Sequence, residues 1–406
     1  MSHNHRSVTG SLGVAAFFIL FFYNIRPELP LFDFSLFWKA TNNLVIGQNP
    51  YQLPLYSSFS GNGLSQFSQN TSPIPSLSPP PALGMFAFIG CLHLDKAKAL
   101  YLCLYCLSFV WSSWIGYSMF FKKRDLANSL DLLLAFLVLP FITFFQALAW
   151  GSLTVIAVMG ICGFFWANAR GSNWLAGCCL AFCGIKPQLF LLLIVYLIWW
   201  AIAKRRYPII LGATSVYLIG LLISIYLQPK IFSMYLAALK GGIGYRVTNA
   251  SLGSVLYYLT GQQNGFYLYL PIMLGAVFLA FVLRIKSSGN LMFFTSIIMP
   301  FSLLLSPYCW GHDYIVCFAT FFSCAHCIHK GIIKNLYTRT VFLLSCLLGC
   351  TSLMVLTSFS NKAVSFITFG AGFAFLSVLV LFFTEQDLAQ LDQHSQHGRR
   401  IYVGKI

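Results

Sequence analysis

An all-α, polytopic membrane protein is the fold class that this sequence predicts, and three observations predict it. Hydrophobic residues make up 58% and charged residues 8% of the 406, with a mean hydropathy of +0.76, far from the mix of a soluble globular domain. Apolar runs able to cross a bilayer, at about 20 residues with tolerance for shorter ones, recur along the whole chain. Cations stand in short clusters at the ends of those runs, the pattern of charges that orient spans. The formal net charge of +16 therefore implies no nucleic-acid partner.

In order, the runs are Val8 to Tyr23, Ala99 to Phe121, Leu130 to Phe145, Leu153 to Ala169, Trp174 to Ile185, Pro187 to Ala203, Tyr207 to Leu227, Phe266 to Leu283, Leu291 to Ser306, Tyr314 to Ile328, Val341 to Thr357 and Ala363 to Phe383. This is a bundle of about twelve transmembrane helices. The first run lacks a small-residue cleavage pattern, so it reads as a retained span. The cysteines fall mostly inside apolar runs, as at Cys103, Cys106, Cys178 and Cys179; there they act as small hydrophobes, and no disulfide framework follows.

The stretch Pro79 to Leu94 is apolar as well. If it crosses, Lys122 to Arg124 face outward; if it lies in the interface or re-enters, every strong cationic cluster faces inward. The second arrangement places sixteen of the 25 Lys and Arg residues inside and puts both termini in the cytoplasm. The whole chain, 1–406, then forms one integral membrane domain, with outer loops at 24–98 and 228–265 and a cytoplasmic tail at 384–406. In the first loop Phe34, Phe37, Trp38, Thr41 and Val45 recur at helical spacing, an amphipathic helix suited to the membrane surface, ended by Gly47 and Pro50. Pro73 to Pro81 is irregular or polyproline-like.

Six acidic residues precede residue 314, and Asp33 is one of them, just beyond the first span. A carboxylate beside a bilayer is costly to desolvate without a partner or a task. Asp33 could simply cap the helix that starts at or just after it. His312 and Asp313, in the turn Ser306 to Asp313, and Lys186, in Gly184-Ile185-Lys186-Pro187, fall on the same face of the membrane under this topology. A carboxylate, an imidazole and a lysine together can serve a phosphorylated lipid and a hydroxyl nucleophile. Lys186 could instead be an interfacial lysine snorkelling from a helix end, and Trp310 reads as aromatic-belt packing. Cys324, His326, Cys327 and His329 span too little sequence for a closed zinc site. No metal and no cofactor are expected, and no phosphate-cradling glycine loop or Gly-x-Ser-x-Gly elbow occurs.

The ordered set of Asp33-Phe34 through Trp38, Ala40, Gly47, Pro50 and Tyr51, then Pro79-Pro80-Pro81, Pro140 with Gly151, Gly177 with Lys186-Pro187, Asn249, Ser251-Leu252-Gly253, and Ser306-Pro307 with Trp310 and His312 resembles the polyprenol-phosphate-mannose-dependent mannosyltransferases of glycosyltransferase family 87. The resemblance covers residues 12 to 330. The chain departs from the pattern at Ser152, where the family usually carries glutamine, and at Asp313, where a second histidine is common.

The resemblance implies a GT-C membrane fold in which the first outer loop roofs a cavity at the outer leaflet, and a polyprenyl-phosphate hexose donor, mannose by the family's habit, transferred to a lipid or glycan hydroxyl. Asp33 is then expected as general base, Lys186 and His312 at the departing phosphate, and Asn249, Ser251, Trp38, Tyr51 and Asp313 against the substrates. A bacterial plasma membrane is the expected location, with membrane lipids around the chain. Two other readings stay open: a transporter or flippase for a lipid-linked or small anionic substrate, with Trp174 to Ala203 as a broken helix, and a scaffold in which Asp33 only caps.

Overall fold

The computed structural model describes residues 31–52, 78–120, 147–148, 150–241, 251–253, 256, 266–284, 291–307, 309, 313 and 315–316. Among these, every regular element is helical. The order is α1 (Phe32–Val45), α2 (Pro80–Met85), α3 (Ala87–Gly90), α4 (Leu94–Phe120), α5 (Thr154–Ala169), α6 (Asn173–Leu180) continued by a 3-10 segment (Ala181–Ile185), α7 (Pro187–Ala203), α8 (Tyr207–Leu227), α9 (Ile231–Gly241), α10 (Phe266–Arg284) and α11 (Leu291–Leu304).

The breaks between these helices follow from the sequence. Behind α1, Gly47 takes a φ of 73°, and the amides of Gly47 and Gln48 fold back onto the carbonyls of Leu44 and Asn43 at 3.1 and 2.7 Å, a left-handed stop that glycine adopts without strain. Prolines open α2, α7 and α8, where the missing N–H would have had no helical partner. Pro187 also forces its predecessor out of helical geometry. Lys186 accordingly sits at φ −129°, ψ 69° between the 3-10 segment and α7.

α5 and α7 begin at one end of the bundle and finish together at the other. Sixteen and seventeen residues at 1.5 Å per residue make them about 24 and 25 Å long. At their far ends an Arg206 guanidinium nitrogen donates to Asn168 Oδ1 at 2.5 Å, and Arg170 and Arg206 lie over the rings of Trp166 and Trp200. Return passes come from α6 with its 3-10 segment and from α8. Where α8 crosses α6 and α2, small residues set the spacing: a Cβ on Gly177 would overlap the Ile209 carbonyl, and one on Gly220 that of Pro81. Such contacts let apolar helices approach closely without polar side chains between them.

With 21 residues, α8 is the one helix among the described residues that is both long and apolar enough to cross a bilayer; α5, α7, Asn173–Ile185 and Tyr269–Ala280 are shorter apolar helices. One side of α8 is covered by α6 and α2. The other presents Leu211, Leu218, Ile219, Leu222 and Tyr226 outward.

One expectation changes. α1 does not offer its apolar stripe to a membrane surface: Phe34, Phe37, Ala40, Thr41 and Leu44 are buried, with Phe34 stacked on Tyr101 and Phe37 edge-on to Phe86. Helical spacing of apolar residues specifies a buried face but not whether lipid or protein buries it. The stretch after Pro79, expected not to cross, forms two helices of six and four residues, together far shorter than a bilayer's hydrocarbon core of about 30 Å. The runs Val8 to Tyr23, Leu130 to Phe145, Val341 to Thr357 and Ala363 to Phe383, most of Tyr314 to Ile328, the Cys324 to His329 cluster and the tail lie outside the described residues.

Candidate active site

Two chain reversals interlock to build the site. Leu31, immediately before α1, holds a left-handed φ of 36°, a conformation costing a side-chain-bearing residue about 1–2 kcal/mol. Gly151, ahead of α5, turns at φ +72°, and a Cβ there would lie 2.9 Å from Leu31 Cα and Phe34 Cβ. The missing side chain lets the first turn of α1 sit directly on the turn that leads into α5. That contact sets the turn that carries Asp33 beside the turn that carries Ser152.

Asp33 lies inside the first turn of α1, while Leu31 is the N-cap and no side chain caps the helix. Asp33 therefore does not occupy the N-cap position; it stands in the first turn, where a carboxylate also favours the helix N-terminus. Its carboxylate faces Lys186 at 3.6 Å. Lys186 Nζ, held at the break before α7, donates to Asp313 Oδ1 at 2.8 Å and to Ser152 Oγ at 3.3 Å. Thr154 Oγ1 donates to the same Asp313 oxygen at 2.5 Å, with Ser152 Oγ at 3.4 Å from it. The two hydroxyls are 2.9 Å apart, and Tyr101 OH donates to the Ser152 carbonyl at 3.0 Å. Asp33, Lys186 and Asp313 thus form one ionic cluster, at the opposite end of α5 and α7 from Arg170 and Lys204 to Arg206.

The two carboxylates differ in access. Side-chain exposure is 22% for Asp33, 12% for Lys186 and 1% for Asp313. Asp33 is partly open to solvent, whereas Asp313 is enclosed. One ammonium between two carboxylates leaves the trio with a charge of −1, and the shorter, hydrogen-bonded arm runs to the buried acid. Ser152 and Asp313 lie against each other here.

The remaining expected site residues are placed differently. Trp38 donates its indole N–H to the Leu92 carbonyl at 3.0 Å, and Tyr51 donates to Ser78 O at 3.3 Å while packing on Tyr235. Both spend their polar atoms on the protein and fasten the first loop. Burial, reinforced by Tyr235, pushes the Tyr51 phenol well above its usual range. Ser251 is buried; Asn249, Trp310 and His312 lie outside the described residues. Thr154, Tyr101 and Leu31 were not signalled as site residues by the sequence. The available hint was two hydroxyl residues, Ser152 and Thr154, straddling Leu153 where an apolar run begins.

The family model of glycosyltransferase family 87 matches residues 77–307, more than half of the 406. The chain belongs to glycosyltransferase family 87. No curated protein matches it. Membership makes the chain a glycosyltransferase, with a sugar donor and an acceptor as its substrates. The matched segment contains Ser152, Thr154 and Lys186 but neither Asp33 nor Asp313, so it is the fold that completes the family 87 segment with two carboxylates from outside it.

Proposed function

We propose that this family 87 protein moves a hexose, mannose in the first instance, from a polyprenyl-phosphate donor to a hydroxyl of a lipid or glycan acceptor at the outer face of a bacterial plasma membrane. The observation that carries the reading is the partly exposed Asp33 carboxylate beside a lysine that is itself held by a buried acid. An acceptor hydroxyl is a poor nucleophile, and a carboxylate within reach of it supplies the base that transfer needs. Lys186 supplies a fixed positive charge for the departing phosphate, with His312 as a further donor and Asn249 and Ser251 for sugar hydroxyls. Trp38 and Tyr51 serve as the wall of the first loop.

The membrane placement is supported by the segregation of charge. Helices of about 25 Å separate the Asp33 pocket from the cations Arg170, Lys204, Arg205 and Arg206, and tryptophans 166 and 200 accompany those cations as at a membrane interface. The outward side of α8 is apolar, as a lipid-facing surface requires. The transporter alternative asks for its polar groups near the bilayer midplane, while these gather at helix ends.

The test is to incubate the purified protein in proteoliposomes with labelled polyprenyl-phosphate mannose and a membrane extract. Label moving into a new lipid or glycan product supports the reading. Label that crosses the bilayer still attached to its carrier, with no new product, supports the transporter.

A further inference from the structure

The cluster contains one lysine and two carboxylates that are not equivalent, and the difference assigns them different duties. Asp313 is enclosed on three sides: Thr154 from the first turn of α5, Ser152 from the Gly151 turn, and Lys186 from the break before α7 all reach its Oδ1. Thr154 is β-branched and stiff at χ1, and the Ser152 backbone is anchored by Tyr101. Asp33 stands 3.6 Å from the same ammonium, beyond hydrogen-bond length, and is the more exposed acid. A single positive charge is therefore shared between an enclosed, hydrogen-bonded counter-ion and a more distant, more exposed one.

We propose that Lys186 couples removal of the acceptor proton to departure of the lipid phosphate, and that Thr154, with Ser152, is a positioning residue that makes this possible by fixing Asp313 as the lysine's standing counter-ion. The inference rests on the transfer reading above and deepens it. In the step itself the acceptor O–H proton passes to Asp33, the acceptor oxygen bonds to the anomeric carbon, the bond from that carbon to the phosphate oxygen breaks, and its electron pair leaves with the phosphate. Protonation of Asp33 takes the trio from −1 to neutral as the leaving group passes from a phosphodiester to a phosphomonoester and gains a negative charge. The lysine's pull, released from Asp33, is then directed at that oxygen. Asp313 keeps the ammonium charged and in place throughout, which it can do because it is buried and held by hydroxyls whose protonation does not change.

Thr154→Val removes the hydroxyl and keeps the shape; Thr154→Ser keeps the hydroxyl. With full-length protein in proteoliposomes and labelled polyprenyl-phosphate mannose, Thr154→Val should lower kcat about tenfold, as expected for losing a hydrogen bond to a charged group, and leave the donor KM within about twofold. A lysine less firmly held by Asp313 relaxes toward Asp33 and favours its ionised form, so the acidic limb of the kcat–pH profile should move to lower pH. The titratable groups facing Asp33 among the described residues are Lys186, Asp313 and Tyr101. Thr154→Ser should restore both rate and limb, and Ser152→Ala should move the limb in the same direction by less.

Wild-type kcat with an unmoved limb in Thr154→Val overturns the coupling, as does equal impairment of the Val and Ser variants, which would make the effect one of packing. Asp33→Asn, measured alongside, separates the two levels of the argument. If it abolishes transfer while Thr154→Val matches wild type, only the coupling is lost. If it leaves transfer intact, the base assignment falls and takes the coupling with it.

Discussion

Removing Lys186 should destabilise the protein far more than its partial exposure suggests, because it strands a buried acid. At 2.8 Å from Asp313 and 3.6 Å from Asp33, the direct attractions are about 6 and about 5 kcal/mol at an effective dielectric near 20, before desolvation offsets most of each. In Lys186→Met the Asp313 side chain, 1% exposed, loses its lysine, a change that typically costs about 3–5 kcal/mol. Asp313→Asn should cost less, about 1–3 kcal/mol, because Lys186 still has Asp33. The double variant removes both members, so its loss should fall short of the sum of the singles by about 2 kcal/mol or more. Reversible denaturant unfolding of all four proteins in a single detergent closes the cycle. Losses that add to within about 0.5 kcal/mol, the tolerance for independent sites, would refute the pairing on which the site is built.

Two further outcomes are expected. Gly151→Ala places a methyl 2.9 Å from Leu31 and Phe34 at a φ of +72°, so about 2–4 kcal/mol of stability should be lost from left-handed strain and overpacking together; kcat should fall as well, since that contact sets Asp33, and an unchanged melting temperature and kcat would dismiss the interlocked turns. The raised phenol of Tyr51 is neutral in the fold above the pH near 10 at which an unfolded tyrosine ionises. Its stabilisation is therefore complete below that pH and declines as pH rises beyond it. Melting temperature should hold level from pH 7 to 9 and drop above 10, and Tyr51→Phe should lessen the drop; a slope unaffected by the substitution would contradict this.

Among the described residues much of the helical frame was legible in the sequence, because apolar runs bounded by Pro187 and Pro208 leave little freedom: Pro187–Ala203 and Tyr207–Leu227 have the expected ends. Family membership was legible too, through short motifs in a fixed order. α1 was legible as a helix with one buried face, but its partner was not, since the spacing of Phe34, Phe37 and Thr41 is the same whether Tyr101 or lipid covers it. The meeting of Asp33, Lys186 and Asp313 could be expected only from sidedness, and the atoms that hold them could not. Thr154 lies 159 positions from Asp313, and nothing local to either residue reports that contact. Leu31's left-handed backbone was equally hidden, because leucine carries no signal for it as glycine does at 151.

The central claim is that Asp33 takes the acceptor's proton in this pocket, and the most direct measurement compares Asp33→Asn with wild type for both transfer and capture of labelled polyprenyl-phosphate mannose. A general base contributes about 10² to 10⁴ in rate. The variant should therefore capture the donor lipid as wild type does and lose transfer by that factor. Transfer at near wild-type rate with the carboxylate gone would contradict the account.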